Sequence, residues 1–279
     1  MKHLLYQDST GKTRELYDGL IAAYGTKSLP LFFTYIGPYP EYLEYISEQL
    51  ITNLNAKEFE ALTVKISQTV ATLVDDVLPK TPRTQETIER YKYSPSFIQF
   101  QKDLRVIIMT NTKLAITFLA LREAVKGWAI AAKKLPSQAS GQNREEVLQK
   151  EEKDFLLDAN YSLTVTQNRE EESRMVRTGD ITQNDNSIER NSLPEYLELT
   201  YQDILTYKKS DPFWILRIHL EKHILSKLDE LPSLIFSPIN IVYRLTSKYP
   251  DFGELIYLLS EDFPTLSMHR LLLSGYMRV

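Results

Sequence analysis

Two of the four histidines, His219 and His223, stand four apart in His219-Leu220-Glu221-Lys222-His223. On a helix that spacing puts both imidazoles on one face, which is metal-ligand geometry. The segment departs from the HExxH pattern, because Leu220 occupies the place of the catalytic base. His3 and His269 lie far away in sequence and no further ligand is visible nearby, so two solvated histidines on a polar helix flank are the better reading; no metal and no cofactor is assigned. Asp75-Asp76 is a second candidate, but consecutive helical positions diverge by about 100° and paired catalytic carboxylates must converge on one atom. A solvated helix end is the competing reading. Tyr35, Tyr39, Tyr42 and Tyr45 could line a pocket with apolar walls and hydroxyl tips, or could simply pack helices. The scattered histidines support no Ser-His-Asp constellation. The most informative polar residue is Asn111, set between Val106-Ile107-Ile108-Met109 and Leu114-Ala115-Ile116. A buried amide must find partners and can hold both a water and a carboxylate oxygen. Alternatively, Asn111 caps the second helix of a broken pair.

Composition narrows the chemistry these residues could serve. The chain has 279 residues, 43% of them apolar, and a net charge of −4. The absence of Cys excludes disulfides, Cys-based zinc sites, iron–sulfur clusters and thiol nucleophiles. The acidic balance argues against a general nucleic-acid binder, which needs an excess of Lys and Arg against phosphates. Only 9 glycines occur, and no GxGxxG or GxxxxGK[ST] loop among them. MKHLLYQDST is too short in apolar residues for a signal peptide, and no run of about 18 apolar residues suggests a membrane span. A cytoplasmic globular protein is the expectation.

The elements that must position these residues are helical. Asn55, with Glu58 three residues on, reads as an N-cap and capping box. Phe59, Leu62, Ile66, Val70, Leu73 and Val77 follow at steps of three and four until Pro79. Tyr42, Leu43, Ile46 and Leu50 make another stripe. Residues 96–134 are apolar enough for two helices or one long broken one, with Asn111-Thr112 its weakest point. From 195 onward five helical stretches are punctuated by Pro212, Pro232, Pro238, Pro250 and Pro264. Tyr39-Pro40, Tyr249-Pro250 and Phe263-Pro264 suit helix entries, where the missing proline N–H is harmless. Period-two alternation and Asn-Gly or Asp-Gly hairpin signals are missing, so the predicted class is all-α.

Residues 136–192 differ from both flanks. Between Asn168 and Ser192 the large apolars are Met175, Val176, Ile181 and Ile188, with no aromatic residue. Such composition suits a solvated, partly disordered connector between a first half, 1–135, and a second, 193–279. A short apolar island, Tyr161 to Val165, would dock as an extended piece. The halves look related: Tyr17, Leu20 and Ile21 pair with Tyr201, Ile204 and Leu205. Pro30-Leu31-Phe32-Phe33 matches Pro212-Phe213-Trp214-Ile215, and Leu43 and Ile46 fall opposite Leu225 and Leu228. Duplicated units normally pack about a pseudo-two-fold axis, with any pocket where they meet.

With these features the sequence resembles the group I 2-haloacid dehalogenases, all-α enzymes built from two related repeats. The resemblance rests on Tyr17 through Pro40-Glu41-Tyr42-Leu43, on Asn111-Thr112-Lys113 followed by Ala120-Leu121 and Glu123, and on the return of the first pattern at 200–225. The repeat unit is also similar to the helical fold of the alkylhydroperoxidase and carboxymuconolactone decarboxylase group, whose paired cysteines are absent here. The dehalogenase resemblance implies that an Asp of the second repeat activates water, which attacks the α-carbon and expels halide without a covalent intermediate. An Asn of the first half helps to hold that water, and Asn111 matches it. The Asp would fall near Phe213 or Trp214; the nearest carboxylate, Asp211, stands two or three residues early. Without a base, attack by water slows by on the order of 10²–10⁴-fold or more. Leu31 and Phe32 echo the family's aromatic pocket residues.

Three expectations follow. Asn111 and Asp211 hydrolyse a small 2-halo acid, if both face one cavity. Alternatively, the chain is a silent relative that binds a small apolar carboxylate or a protein partner, its pocket sealed by Phe213 and Trp214. A structural helical protein is the third, and a homodimer remains open; neither nucleic acid nor membrane is an expected partner.

Overall fold

The computed structural model describes residues 2–132 and 185–279. The first stretch forms α1 (Gly11–Tyr24), α2 (Leu31–Ile36), α3 (Pro40–Leu54), α4 (Lys57–Val77), α5 (Pro82–Tyr91) and α6 (Pro95–Ala132). The second forms α7 (Asp185–Tyr207), α8 (Asp211–Leu225), α9 (Ile239–Lys248), α10 (Phe252–Tyr257) and α11 (Phe263–Tyr276). One π-helical turn, Leu258–Asp262, joins α10 to α11. The described residues contain no strand, and the protein is all-α. Most of the connector expected at 136–192, with its island at Tyr161 to Val165, lies outside the described residues; 185–192 are helical.

Local sequence explains most helix ends. Gly25 takes the left-handed conformation after α1 (φ 69°), which glycine adopts without a Cβ penalty. The N–H of Gly25 then reaches Ala22 O and that of Thr26 reaches Ile21 O, satisfying terminal carbonyls. Prolines enter α3, α5, α8 and α11 in the first turn. The capping box at Asn55 is not formed. Asn55 closes α3 in the right-handed helical region, and α4 starts after an extended Ala56 with no side-chain cap. The stripe behind it is formed: Phe59, Leu62, Ile66, Val70 and Val74 are buried, with Leu73 and Val77 at its edge.

The core is organised by α6 and α11. The predicted break at Asn111-Thr112 is absent, and α6 runs unbroken through both residues. Thr112 helps by returning its hydroxyl to Ile108 O at 2.8 Å, so its side chain bonds within the helix instead of ending it. Pro95–Lys126 is long and apolar enough to cross a membrane, but 78% of its most apolar window is buried inside the molecule, as a central helix requires. Helix α11 is buried on every side from Ser267 to Met277. The two helices run antiparallel: Gln101 Nε2 donates to Met277 O at 3.1 Å, Asn111 meets Arg270, and Phe118 meets Phe263 with ring centres 5.4 Å apart. Ascending numbers on one helix face descending numbers on the other. Gly275 permits close approach on the other flank of α11, because a Cβ there would lie 3.2 Å from Val74 and 3.3 Å from Val70 on α4.

The clustered tyrosines act as packing residues between distant segments. Tyr39 stands edge-on to Tyr249 and Phe252, and Tyr42 edge-on to Phe252. The buried Tyr42 hydroxyl meets Ser237 Oγ at 3.2 Å. Together they tie α3 to the chain around α9 and α10.

Candidate functional site

Asn111 is fully buried in the middle of the α6–α11 seam. Its Oδ1 accepts a hydrogen bond from Arg270 Nε, and its Nδ2 donates to Arg270 O at 3.4 Å. Arg270 is 1% exposed and heads the largest fully buried side chains. Burying a guanidinium costs several kcal/mol unless hydrogen bonds replace its hydration, and the amide supplies one of them. Asn111 shares a buried polar centre with Arg270 and, in the interior of α6, caps no helix.

Around this centre the walls are aromatic. Seven residues are close to two helical turns, so Phe118 shares a face with Asn111 and Phe263 shares one with Arg270, each about 10.5 Å along its helix. Phe32 of α2 packs on both, with ring centres 4.6 Å from Phe118 and 5.3 Å from Phe263. Leu31 is half-buried at the start of α2. From the other half, Phe213 is fully buried, and its ring centre lies 5.6 Å from that of His269, next to Arg270 in sequence. Trp214 is 38% exposed, lies 5.8 Å from His269 and donates its indole N–H to Lys208 O at 2.7 Å. Phe213 therefore belongs to the interior and Trp214 to its rim.

Asp211 lies elsewhere. It is exposed at the first turn of α8, whereas Asn111 has no solvent exposure. On a helix, Asp211 and Phe213 differ by about 200° in direction, so the buried position belongs to the phenyl ring and the carboxylate turns outward. His219 is exposed and His223 half-buried, and the described residues hold no group of three His, Asp or Glu able to bind a metal. Asp75 pairs at the surface with Arg278.

Lys113 extends from the same α6 segment and donates to Ala23 O at 3.3 Å, its amine lowered in pKa by burial. One turn further, Thr117 accepts from the Tyr24 hydroxyl at 2.9 Å. These contacts fasten α1 beside the polar centre.

Sequence reasoning missed Arg270. Its signal is His269-Arg270 set between Met268 and Leu271-Leu272-Leu273, a charge inside an apolar run. Its partner stands 159 positions away, so nothing local could connect the two.

No protein-family model matches the chain, and no curated protein matches it by sequence. Solved structures do match in fold. One is described as the complex structure of a D-2-haloacid dehalogenase mutant with D-2-CPA and another as a D-2-haloacid dehalogenase mutant; each aligns with a TM-score of 0.66 at 15% identity, covering 99% of this chain and 94% of the other. Nearly the whole chain is thus similar in fold to D-2-haloacid dehalogenases.

Proposed function

We propose that this protein is a non-hydrolytic relative of the haloacid dehalogenases that binds a small apolar carboxylate at the Asn111–Arg270 centre. The observation that carries this reading is the buried hydrogen bond from Arg270 Nε to Asn111 Oδ1. Displacement of halide by water needs a proton acceptor on that water, and the amide oxygen here is taken up by a cation. Asp211 is at the surface, away from that sheltered environment. A guanidinium is suited instead to a carboxylate, whose two oxygens match its planar fork. Phe32, Phe118, Phe213 and Phe263 supply apolar surface of the kind that holds a short alkyl chain. The fold likeness adds support, since one structural neighbour was solved with D-2-CPA. In this reading Asn111 comes from the first half of the chain and Arg270 from the second.

Titration calorimetry with propionate and both enantiomers of 2-chloropropionate, with halide measured in the same samples, tests the proposal. Binding without halide release, lost in Arg270→Met, is the expected result. Halide release that disappears in Asp211→Asn would establish the hydrolytic reading in its place. Absence of carboxylate binding by the folded wild type overturns the proposal outright.

A further inference from the structure

The outward face of α8 is apolar at its centre and charged at its ends. Phe213, Leu216, Leu220 and Ile224 of this helix are buried. On the opposite side Asp211, Ile215, Ile218 and Lys222 follow at steps of four, three and four, which at 100° per residue places all of them within about 60° of one another. All four are exposed, Ile215 by 54% and Ile218 by 44%, where a surface helix ordinarily turns polar residues outward. The charges on the flank of the stripe are engaged within the chain, Glu221 with Arg122 and with Arg217. Among the described residues Asp211 and Lys222 enter no ion pair of that kind.

The stripe is complementary to itself when turned end over end. On a second α8 laid antiparallel, about a two-fold axis between positions 216 and 217, Ile215 comes level with Ile218 of the other copy. Asp211 then comes level with Lys222 of the other copy, because the two are equally far from the axis. Steps of four and three are the spacing of a two-helix seam, whose layers pair in this way when the helices run in opposite directions. Two apolar layers are thereby closed at each end by opposite charges. A parallel arrangement would instead set Asp211 on Asp211 and Lys222 on Lys222. Self-complementarity of one patch is what a two-fold interface demands.

We propose that this face of α8 is a two-fold interface through which the protein pairs with a second copy of itself, the two helices antiparallel. Burial of Ile215 and Ile218 drives association, and the Asp211–Lys222 pairs fix direction and register. Trp214, held by its indole N–H on Lys208 O, stands at the border of the stripe and belongs to a residue type enriched at interfaces. The Asn111–Arg270 centre lies towards the other side of α8, where Phe213 is buried against His269. Either assignment can therefore fail without the other.

The test is sedimentation velocity of the full chain from about 1 to about 100 μM, the range in which a modest interface associates. The wild type should form a dimer. Ile218→Asp sets a carboxylate against the apolar centre and should stay monomeric with its helical circular dichroism retained. Asp211→Lys and Lys222→Asp should each weaken the dimer on the order of 10-fold at low salt, because each turns two attractive pairs into two like-charge pairs. The two reversals combined in one chain should restore the dimer, and an equimolar mixture of the single variants should give mixed dimers. Weakened helix ends do not produce that recovery, since the double variant carries both unfavourable end charges. A wild type that stays monomeric across the range, or a dimer unchanged by Ile218→Asp, overturns the proposal. Charge reversals without effect, or without rescue in the double variant, overturn the antiparallel register and the proposal with it.

Discussion

Two polar groups share helix α11 and solve the problem of buried polarity in opposite ways. At Arg270 the charge lies on the core helix itself, and a neutral amide from α6 meets it in the middle of the seam. At Tyr276, two turns on, the charge belongs to Asp203 of a neighbouring helix, and hydroxyls from α5 and α11 surround it. The first centre is sealed and cationic. The second is half-open and leaves Lys80 outside the carboxylate's hydrogen-bond set. A sealed cation recognises an anion only by admitting it into the core, whereas the half-open carboxylate is held by hydroxyls at the edge of the molecule.

Breaking the sealed centre should have the largest effect. Asn111→Ala removes a partner of a buried guanidinium and is expected to destabilise by about 3 kcal/mol, read as a shift of the denaturant midpoint at unchanged slope. Replacing both members, Asn111→Leu with Arg270→Met, should destabilise less than Asn111→Ala alone, because no charge is then left in the core. A double mutant worse than the single would show that the pair is a net stabiliser of the seam.

Packing at the helix crossings comes next. A Cβ at Gly37 would overlap the Tyr17 hydroxyl, which donates to Leu4 O at 3.0 Å and holds the N-terminal segment. Gly37→Ala should cost about 1–3 kcal/mol by overpacking, and Tyr17→Phe in the same chain should recover part of it, since the obstructing oxygen is gone. Thermal unfolding of the two variants measures both effects.

The half-open corner should respond more weakly. Asp203→Asn keeps the shape but weakens charge-assisted bonds to Thr81, Thr84 and Tyr276, for an expected loss of about 1–2 kcal/mol. The smallest effect is a pH dependence. Burial lowers the Lys80 amine from the ordinary lysine value of 10.5 to about 8, so between those values the unfolded chain binds more protons and stability rises with pH. The penalty is fully present below pH 8 and relieved towards pH 10.5. Lys80→Met should therefore be favoured over wild type at neutral pH, with the difference shrinking as pH climbs through that window. A difference constant with pH would refute the lowered amine.

How much of this was legible in the sequence follows from the range of the interactions. The stripe from Phe59 to Val77 and the Tyr39-Pro40 entry are local patterns, and both are present in the fold. The capping box at Asn55 failed because α3 runs up to that residue, leaving it to close one helix instead of opening the next. The break at Asn111-Thr112 failed because tertiary burial overrides the weak helix propensity of Asn and Thr. At the site, Asn111 stood out because an amide in an apolar run needs a partner. Arg270, Asp203 and Thr81 did not, since each is given meaning by a residue more than 100 positions away.

The central claim is that the Asn111–Arg270 centre holds a carboxylate and does not activate water. A crystal soaked with 2-bromopropionate tests it most directly, because the anomalous signal of bromine reports whether the carbon–bromine bond survives. The account predicts an intact bromo acid with its carboxylate on the Arg270 guanidinium. A hydroxy acid with bromide released, or a seam that stays free of ligand at saturating concentration, would contradict it.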